Sequence, residues 1–469
     1  MDCEVVVVGA GIGGLTVAAL LAQRGLSVCV LERERQVGGC AAPFEKFGYT
    51  FEPGYGLFSG WKADEIHRRV FAELPVDPPE VRPCETPYVV RLPDASEIAI
   101  TSNPEEFEAS LHRVFPECAG KAVEFYRQLE ETNNALRRTD APELPLRSTL
   151  ECLAETSARF RTFIDAQLQT FAQGASAEVS QPQAALCLSA PRAGMWTMRG
   201  GAPALAECLA ESIKQSGGRI RLNTPVLRLA YDSAGNAVGV DLLSGERVTA
   251  RTAIVSNLTI WDTYGKLVGL NRTPGEIRSQ LKTSRGWGAY MIYLGLDDPL
   301  VTSSLPDRIL TVTDWQESPS YSPENNQLML AAAPLWDPRA PNGKRAAMVH
   351  AFTDVDEWFT FHTDETELEE QDQELLEQCW QRLHAAIPEL GSHVEVIETV
   401  TPRDYYETTR RKLGMVGGVM PSLAPAQTPG HLTSLPNLFI VSDTTSAGNI
   451  EALTQAAWNL VNKLSAKNP

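Results

Sequence analysis

The chain has 469 residues, 43% of them hydrophobic and 21% charged, with a formal charge of −18. That length suits two to three domains with full cores, and the balance is that of an ordinary globular protein. The acidity excludes a broad nucleic-acid footprint, which needs basic residues facing phosphate, and broad electrostatic docking on anionic lipid; only a small apolar membrane contact stays compatible with it.

Nine cysteines (3, 29, 40, 84, 118, 152, 187, 208 and 379) are scattered without a C-x-x-C pair, and no Cys/His cluster has metal-ligand spacing. No metal is therefore expected, and reduced thiols in a cytosolic protein are the simplest reading. No stretch approaches the roughly 18 consecutive apolar residues of a membrane span. A nucleotide-binding pattern that starts at residue 4 leaves no room ahead of it for a targeting peptide. The expectation is a soluble, cytoplasmic protein that touches a membrane peripherally at most.

In chain order, Val5–Val8 is a β-branched run suited to a strand buried on both faces. Gly9-Ala10-Gly11-Ile12-Gly13-Gly14 follows and matches G-x-G-x-x-G. Leu15, Ala18, Ala19 and Ala22 then give a small-residue helix face, Gly25 ends that helix, and Leu26–Leu31 reads as a second strand. Glu32 closes the unit, 18 residues after Gly14. The spacing is that of a dinucleotide site. Gly9 makes the tight turn, Gly11 lets the backbone approach a diphosphate, Gly14 permits close helix–strand packing, and Glu32 accepts from a ribose hydroxyl. Ile12, Gly13 and Arg33 belong to the same expected contact set. A carboxylate at Glu32 repels a 2′-phosphate, which disfavours NADP and leaves FAD or NAD. Gly38-Gly39, just past the second strand, favours FAD: a glycine pair there lets the chain fold back across the diphosphate or flavin end of an extended dinucleotide.

The stretch "VLERERQVGGCAAPFEKFGYTFEPGYGLFSG" (30–60) carries Glu32, Gly38-Gly39 and the segment Gly48-Tyr49-Thr50-Phe51-Glu52-Pro53-Gly54. It resembles the N-terminal signature of the flavoproteins that include phytoene desaturase, carotenoid isomerase, retinol saturase and the amine oxidases. "MRGGAPALAECLAESIKQSGGRIRLNTPVLRL" (198–229) resembles the family's second motif, and "TARTAIVSN" (249–257) its strand returning to the flavin domain. "DPRAPNGK" (337–344) and "TPRDYYETTRRKLGMVGG" (401–418) resemble the desaturase branch, and "LPNLFIVSDTTSAG" (435–448) the C-terminal flavin motif.

The resemblance implies an α/β fold: a Rossmann-like FAD-binding domain of the glutathione reductase/amine oxidase type with an inserted α+β substrate domain. The FAD-binding pieces are expected at 1–65, 200–270 and 395–469, and the substrate domain at 66–199 and 271–394. It further implies FAD contacts at Gly54, Tyr55 and Asn257, with Val226 against the adenine and Asp443 on the ribityl chain. Gly448 and Ile450 would open a helix aimed at the flavin pyrimidine edge. Cys40 lies next to this set, as a flavin neighbour or, more simply, a packed thiol. Two departures stand out: Ser442 replaces the usual Gly, and Glu451 puts a carboxylate where the family is apolar. Glu451 is expected to face solvent.

"FRTFIDAQLQTFAQG" (160–174) resembles the family's substrate-side helix. Arg159 and Arg161 at its start are weak catalytic candidates, and surface arginines read equally well. The acid found near there in the desaturases is unmatched, with Ser157 near its place and Glu155 two residues before. His350, in an apolar run, reads as packed. "GAYMIYLGLDD" and "AAMVHAFTD" suit sheet strands; residues 364–387 and 450–464 read as helices with an inward apolar face.

The resemblance implies an FAD-dependent desaturase or cis–trans isomerase of a long apolar polyene, a carotenoid, working by hydride transfer at flavin N5. With one dinucleotide fingerprint visible, the electron acceptor would be quinone or oxygen. An oxidase or dehydrogenase of a smaller metabolite is the alternative, because fold does not fix substrate. A non-catalytic flavoprotein subunit stays open through Ser442 and Glu451. The oligomeric state is left open.

Overall fold

The computed structural model describes residues 2–136, 147–283, 286–297, 305–316, 320–359, 364–417, 433, 435–445 and 449–466. Two mixed sheets organise it. In the first, the strand order is Val226–Tyr231, Ala237–Leu242, Arg247–Ser256, Asp2–Val8, Val28–Leu31, Arg219–Arg221, and Leu438–Ile440 pairs with Arg247–Ser256. Asp2–Val8 lies parallel to both its neighbours, which the β-branched run Val5–Val8, buried on both faces, allows.

The first helix, Ile12–Gln23, is buried all round rather than along one face; only Gln23 escapes. Its alanines let it lie between the sheet and the helices Gly201–Gln215 and Ile450–Ser465, whose Leu205, Leu209, Leu453 and Leu460 share its core. A helix apolar on every side belongs inside, so the small-residue face foreseen in the sequence is only half of its role. The second strand begins at Val28, not Leu26. Leu26 is spent on the helix exit, where its N–H donates to the Leu21 carbonyl and Gly25 turns at φ 86°.

The second sheet runs Val394–Val400, Gly288–Asp297, Lys344–Thr353, Gln327–Ala332, Arg308–Val312, Tyr88–Arg91, Glu97–Ile100. Both runs foreseen as strands, 288–297 and 344–353, are neighbours in it. The expected segmentation differs from the sheets in two places. Val394–Val400 pairs with Gly288–Asp297, so the chain returns to the first sheet only at Leu438. The helix Ile66–Glu73 puts Ile66, Val70 and Phe71 into the core of the first sheet. Strand pairing across long separations leaves no mark in local composition, which is why neither was visible. Helices Pro104–Val114, Ala119–Leu136, Ala158–Ala172 and Gln181–Ala193 pack around a separate core with Tyr88, Val90, Leu310 and Met329 from this sheet. Helix Glu365–Ala386 covers the other face through Cys379 and Leu383, with Leu368, Leu375, Leu376 and Trp380 partly buried beside them.

Candidate functional site

The glycine-rich turn is held from below by a single side chain. Asn257 donates through Nδ2 to the Val441 carbonyl at 2.7 Å, and its backbone N–H reaches Val8 O at 2.8 Å. A Cβ on Gly11 would sit 2.6 Å from Asn257 Oδ1, and one on Gly14 would sit 2.5 Å from the Gly9 oxygen and 2.9 Å from Asn257 Cβ. On Gly13 it would meet Leu453 at 2.8 Å. Three glycines are thus required by packing, whereas Gly9 is required by its φ of 97°.

Glu32 is buried and shares its carboxylate between two backbone donors, Ala10 N–H at 2.7 Å and Glu34 N–H at 2.9 Å. Each carboxylate oxygen has a second acceptor site left over for a hydroxyl. Gly38 donates to Ala10 O at 2.8 Å and turns at φ 112°; a Cβ on Gly39 would come within 3.3 Å of Gly11 Cα. The glycine pair folds directly over the glycine turn.

These elements open into one cavity of about 2820 Å³ that continues from the first sheet to the second. Of the residues expected to hold the nucleotide, Gly9, Gly11, Ile12, Glu32, Arg33, Gly38, Gly39 and Cys40 line it near the first strand pair. Gly54, Tyr55, Val226, Asn257, Asp443 and Ile450 line it from later segments. Gly13 and Gly14 stand behind the wall, as packing positions. Gly448 lies outside the described residues.

Asp443 has a partner that sequence reasoning missed. Arg411, 3% exposed, donates through Nη1 to Asp443 Oδ2 at 2.6 Å and approaches Cys40 Sγ at 3.7 Å. Its remaining donors reach the carbonyls of Met415 (2.8 Å) and Gly417. Burial alone would lower the guanidinium pKa, but the Asp443 carboxylate, Cys40 and Tyr405 raise it, so it stays charged. Cys40 is therefore a hydrogen-bonding partner in a polar cluster rather than the plain packed thiol expected. The double arginine in "TTRRKLG" was the available signal for Arg411, without anything to tell which arginine turns inward.

The stretch "DPRAPNGK" also finds its place. Arg339 binds Glu52 at 2.9 Å and Asp337 at 2.6 Å, all three side chains being nearly fully buried, and donates to the Met198 carbonyl at 3.0 Å. The same carboxylates accept from Ala202 N–H (2.9 Å) and Gly200 N–H (3.0 Å). One arginine thus joins the segment 48–54, the Gly-Gly turn at 200–201 and the loop after Gln327–Ala332.

At the far end of the cavity the Tyr55 hydroxyl lies 3.3 Å from His350 Nδ1, and its ring stands edge-on to both His350 and Phe171. Fully buried Arg308 donates to the carbonyls of Tyr55 and, at 2.9 Å, Gly56. Burial lowers the His350 pKa to about 4 and raises that of Tyr55. His350 is packed, as expected, but packed onto the cavity wall.

Arg159 and Arg161 are absent from the cavity lining. Arg159 binds Asp94, Glu117 and the Val114 carbonyl, and Arg161 the Thr156 carbonyl. They fasten the start of the helix Ala158–Ala172, whose cap is Ser157. Glu451, expected to face solvent, lines the cavity half-buried, and its Cγ packs where a Cβ on Gly60 would be, 2.9 Å away. Among the described residues no His/Cys/Asp/Glu group is placed to hold a metal ion, and no helix is long and apolar enough to cross a membrane.

Comparison with known proteins gives the family and the fold. The chain is 27% identical to a prolycopene isomerase, chloroplastic, of Arabidopsis thaliana, over 95% of this chain and 79% of that one. It is 25% identical to an all-trans-retinol 13,14-reductase of Danio rerio, over 86% of this chain and 75% of that one. The solved structure of an oxidoreductase from Methanosarcina mazei superposes with a TM-score of 0.70 at 18% identity, covering 98% of this chain and all of that one, which shows the shared fold. The profile of the flavin containing amine oxidoreductases matches residues 12–459, and the chain belongs to that family of flavin-dependent enzymes.

Proposed function

We propose that the chain binds FAD and uses it to desaturate, or to isomerise between cis and trans, a long apolar polyene such as a carotenoid. The observation that carries this reading is the single cavity of about 2820 Å³ reaching from Glu32 to the apolar wall of the second sheet. A pocket for one ligand typically spans roughly 300–1000 Å³, so this one has room for a dinucleotide and a long second molecule.

The residues fit FAD. The backbone N–H groups of the turn at Gly9–Gly14 would face the diphosphate, with the helix Ile12–Gln23 adding its positive end. Glu32 would accept from the adenosine ribose and Val226 would lie against the adenine. Asp443, held by Arg411, would accept from the ribityl hydroxyls. When bound, FAD supplies a hydride acceptor and donor at N5, and the protein supplies position and charge. Met291, Tyr293 and Met348 line the cavity on the second sheet and exclude water from the polyene's path. Arg411 keeps a fixed positive charge beside Asp443, so the pair adds no net charge to the ribityl region. With one dinucleotide fingerprint in the chain, quinone or oxygen would take the electrons of a desaturation.

A second reading, an oxidase or dehydrogenase of a smaller metabolite, is favoured by the Glu451 carboxylate on the cavity wall, which would attract a protonated amine. Anaerobic mixing of the FAD-loaded protein with a panel of carotenoids in detergent decides between them. Bleaching of the flavin with a red-shifted polyene spectrum is the expected result for a desaturase. Isomerisation only after dithionite reduction is the result for an isomerase. Bleaching by small amines or alcohols, with no polyene reacting, would overturn the polyene reading.

A further inference from the structure

We infer that Tyr55 and His350 form a hydrogen-bonding clamp for one oxygen atom of the substrate, so that the cavity prefers an oxygenated polyene over the matching hydrocarbon. The inference rests on the polyene reading and adds what that reading lacks, a chemical feature of the molecule selected.

The register of the second sheet makes the case. Strands expose alternate residues on one face, and Lys344–Thr353 turns Ala346 and Met348 into the same apolar cluster as Met291 and Tyr293. His350 follows in that alternation and pairs with Met291 across the ladder. An apolar side chain at this position would simply continue the wall. Instead an imidazole, 7% exposed, stands among aromatic and thioether groups. Tyr55 satisfies Nδ1, whereas Nε2 has no hydrogen-bond partner among the described residues, and both side chains line the cavity.

The chemistry follows from the two tautomers. If the Tyr55 hydroxyl donates to Nδ1, Nε2 carries the proton and donates to a carbonyl or hydroxyl oxygen. If Nδ1–H donates to the Tyr55 oxygen, Nε2 accepts from a substrate hydroxyl. Either arrangement leaves a directed, uncharged polar site beside the apolar patch of Met291, Tyr293 and Met348, suited to a neutral alcohol or ketone. Arg308 fixes the clamp from behind by holding the backbone carbonyls of Tyr55 and Gly56, which sets where the phenol points.

The test measures dissociation constants of the FAD-loaded protein by tryptophan fluorescence quenching. The probes are all-trans-retinol and the same polyene with a methyl in place of the hydroxymethyl group. The wild type should bind the alcohol about five- to tenfold more tightly, the worth of one net hydrogen bond. His350→Phe and Tyr55→Phe keep the ring packing and should bring the ratio to about one, mainly by weakening the alcohol; an unchanged near-ultraviolet circular dichroism spectrum shows that each variant has folded. Equal binding of both probes to the wild type, or an unchanged ratio in both variants, overturns the clamp and leaves the polyene reading standing. Failure of both probes to bind the FAD-loaded wild type overturns the clamp and the polyene reading together.

Discussion

Around the glycine turn the polar groups are mostly backbone, and they are satisfied from within the same opening segment of the chain: Glu32 by Ala10 and Glu34, Gly38 by Ala10. At the second-sheet end they are side chains, brought together from strands and loops far apart, as Tyr55 is to His350 over 295 residues. The difference separates two tasks. Holding a diphosphate needs backbone N–H groups in a fixed curve, so the requirement falls on glycines and tolerates little change. Choosing a substrate needs a few directed side chains on a wall, and a wall can be rewritten one residue at a time without disturbing the frame.

Arg339 is where the two ends are fastened, and removing it should do the most damage. Arg339→Met leaves Glu52 and Asp337 as buried carboxylates without their cation. Breaking one side of a buried ion pair costs about 3–5 kcal/mol. We expect a denaturation midpoint lowered to match, and loss of FAD, because the Gly200–Gly201 turn and the loop at Gly54 lose their common anchor. A loss under about 1 kcal/mol would mean that water reaches these carboxylates and that the ends are held together some other way.

Two buried histidines, one at each end, allow the regions to be compared by acid. His67 stacks on Trp61 at 4.7 Å beside the first core, with Nε2 unpartnered, and burial lowers its pKa from 6.5 to about 4. His350 is lowered from 6.5 to about 4 for the same reason. Between those values the unfolded chain binds protons that the folded chain refuses, so each histidine costs stability as pH falls through 6.5 and levels off near 4. The full span is worth on the order of 3 kcal/mol apiece. Urea midpoints at pH 7.5 and 5 should drop steeply for the wild type and less so for His67→Phe or His350→Phe. Equal slopes for wild type and the His350→Phe variant would mean that His350 takes up its proton in the folded cavity, with water as partner.

The same contrast explains how much was legible beforehand. From Val5 to Glu32 the chemistry imposes residue types at fixed short spacing, so the strand, glycine turn, helix and second strand could be read directly. Asp443 and Val226 were assigned because a related pattern carried them over, and both line the cavity. Arg411 could not, since it meets Cys40 across 371 residues and the segment around it names no partner. His350 looked like packing because a strand shows what alternates and not which face meets a cavity. Arg159 and Arg161 misled for the opposite reason: proximity in sequence to a substrate-side helix says nothing of the direction in which a helix start is tied down.

Glu451 offers the smallest effect and the finest comparison. It stands in the first turn of helix Ile450–Ser465, capped by Asn449, which accepts from Ala452 N–H at 2.8 Å. A carboxylate there favours the helix by about 0.3–1 kcal/mol through the macrodipole, yet it also cancels part of the positive field that the helix start sends into the cavity. With FAD bound as proposed, that field stabilises negative charge on the reduced flavin, and Glu451 opposes it. Glu451→Gln should therefore raise the flavin reduction potential, by on the order of 10–30 mV, the upper figure corresponding to ~1.4 kcal/mol for a two-electron couple. A spectroelectrochemical titration reads the shift directly. No change would mean that the carboxylate lies beyond electrostatic reach of the flavin and serves the helix alone; a lowered potential would mean that a cation held by Glu451 moves away from the flavin when the charge is removed.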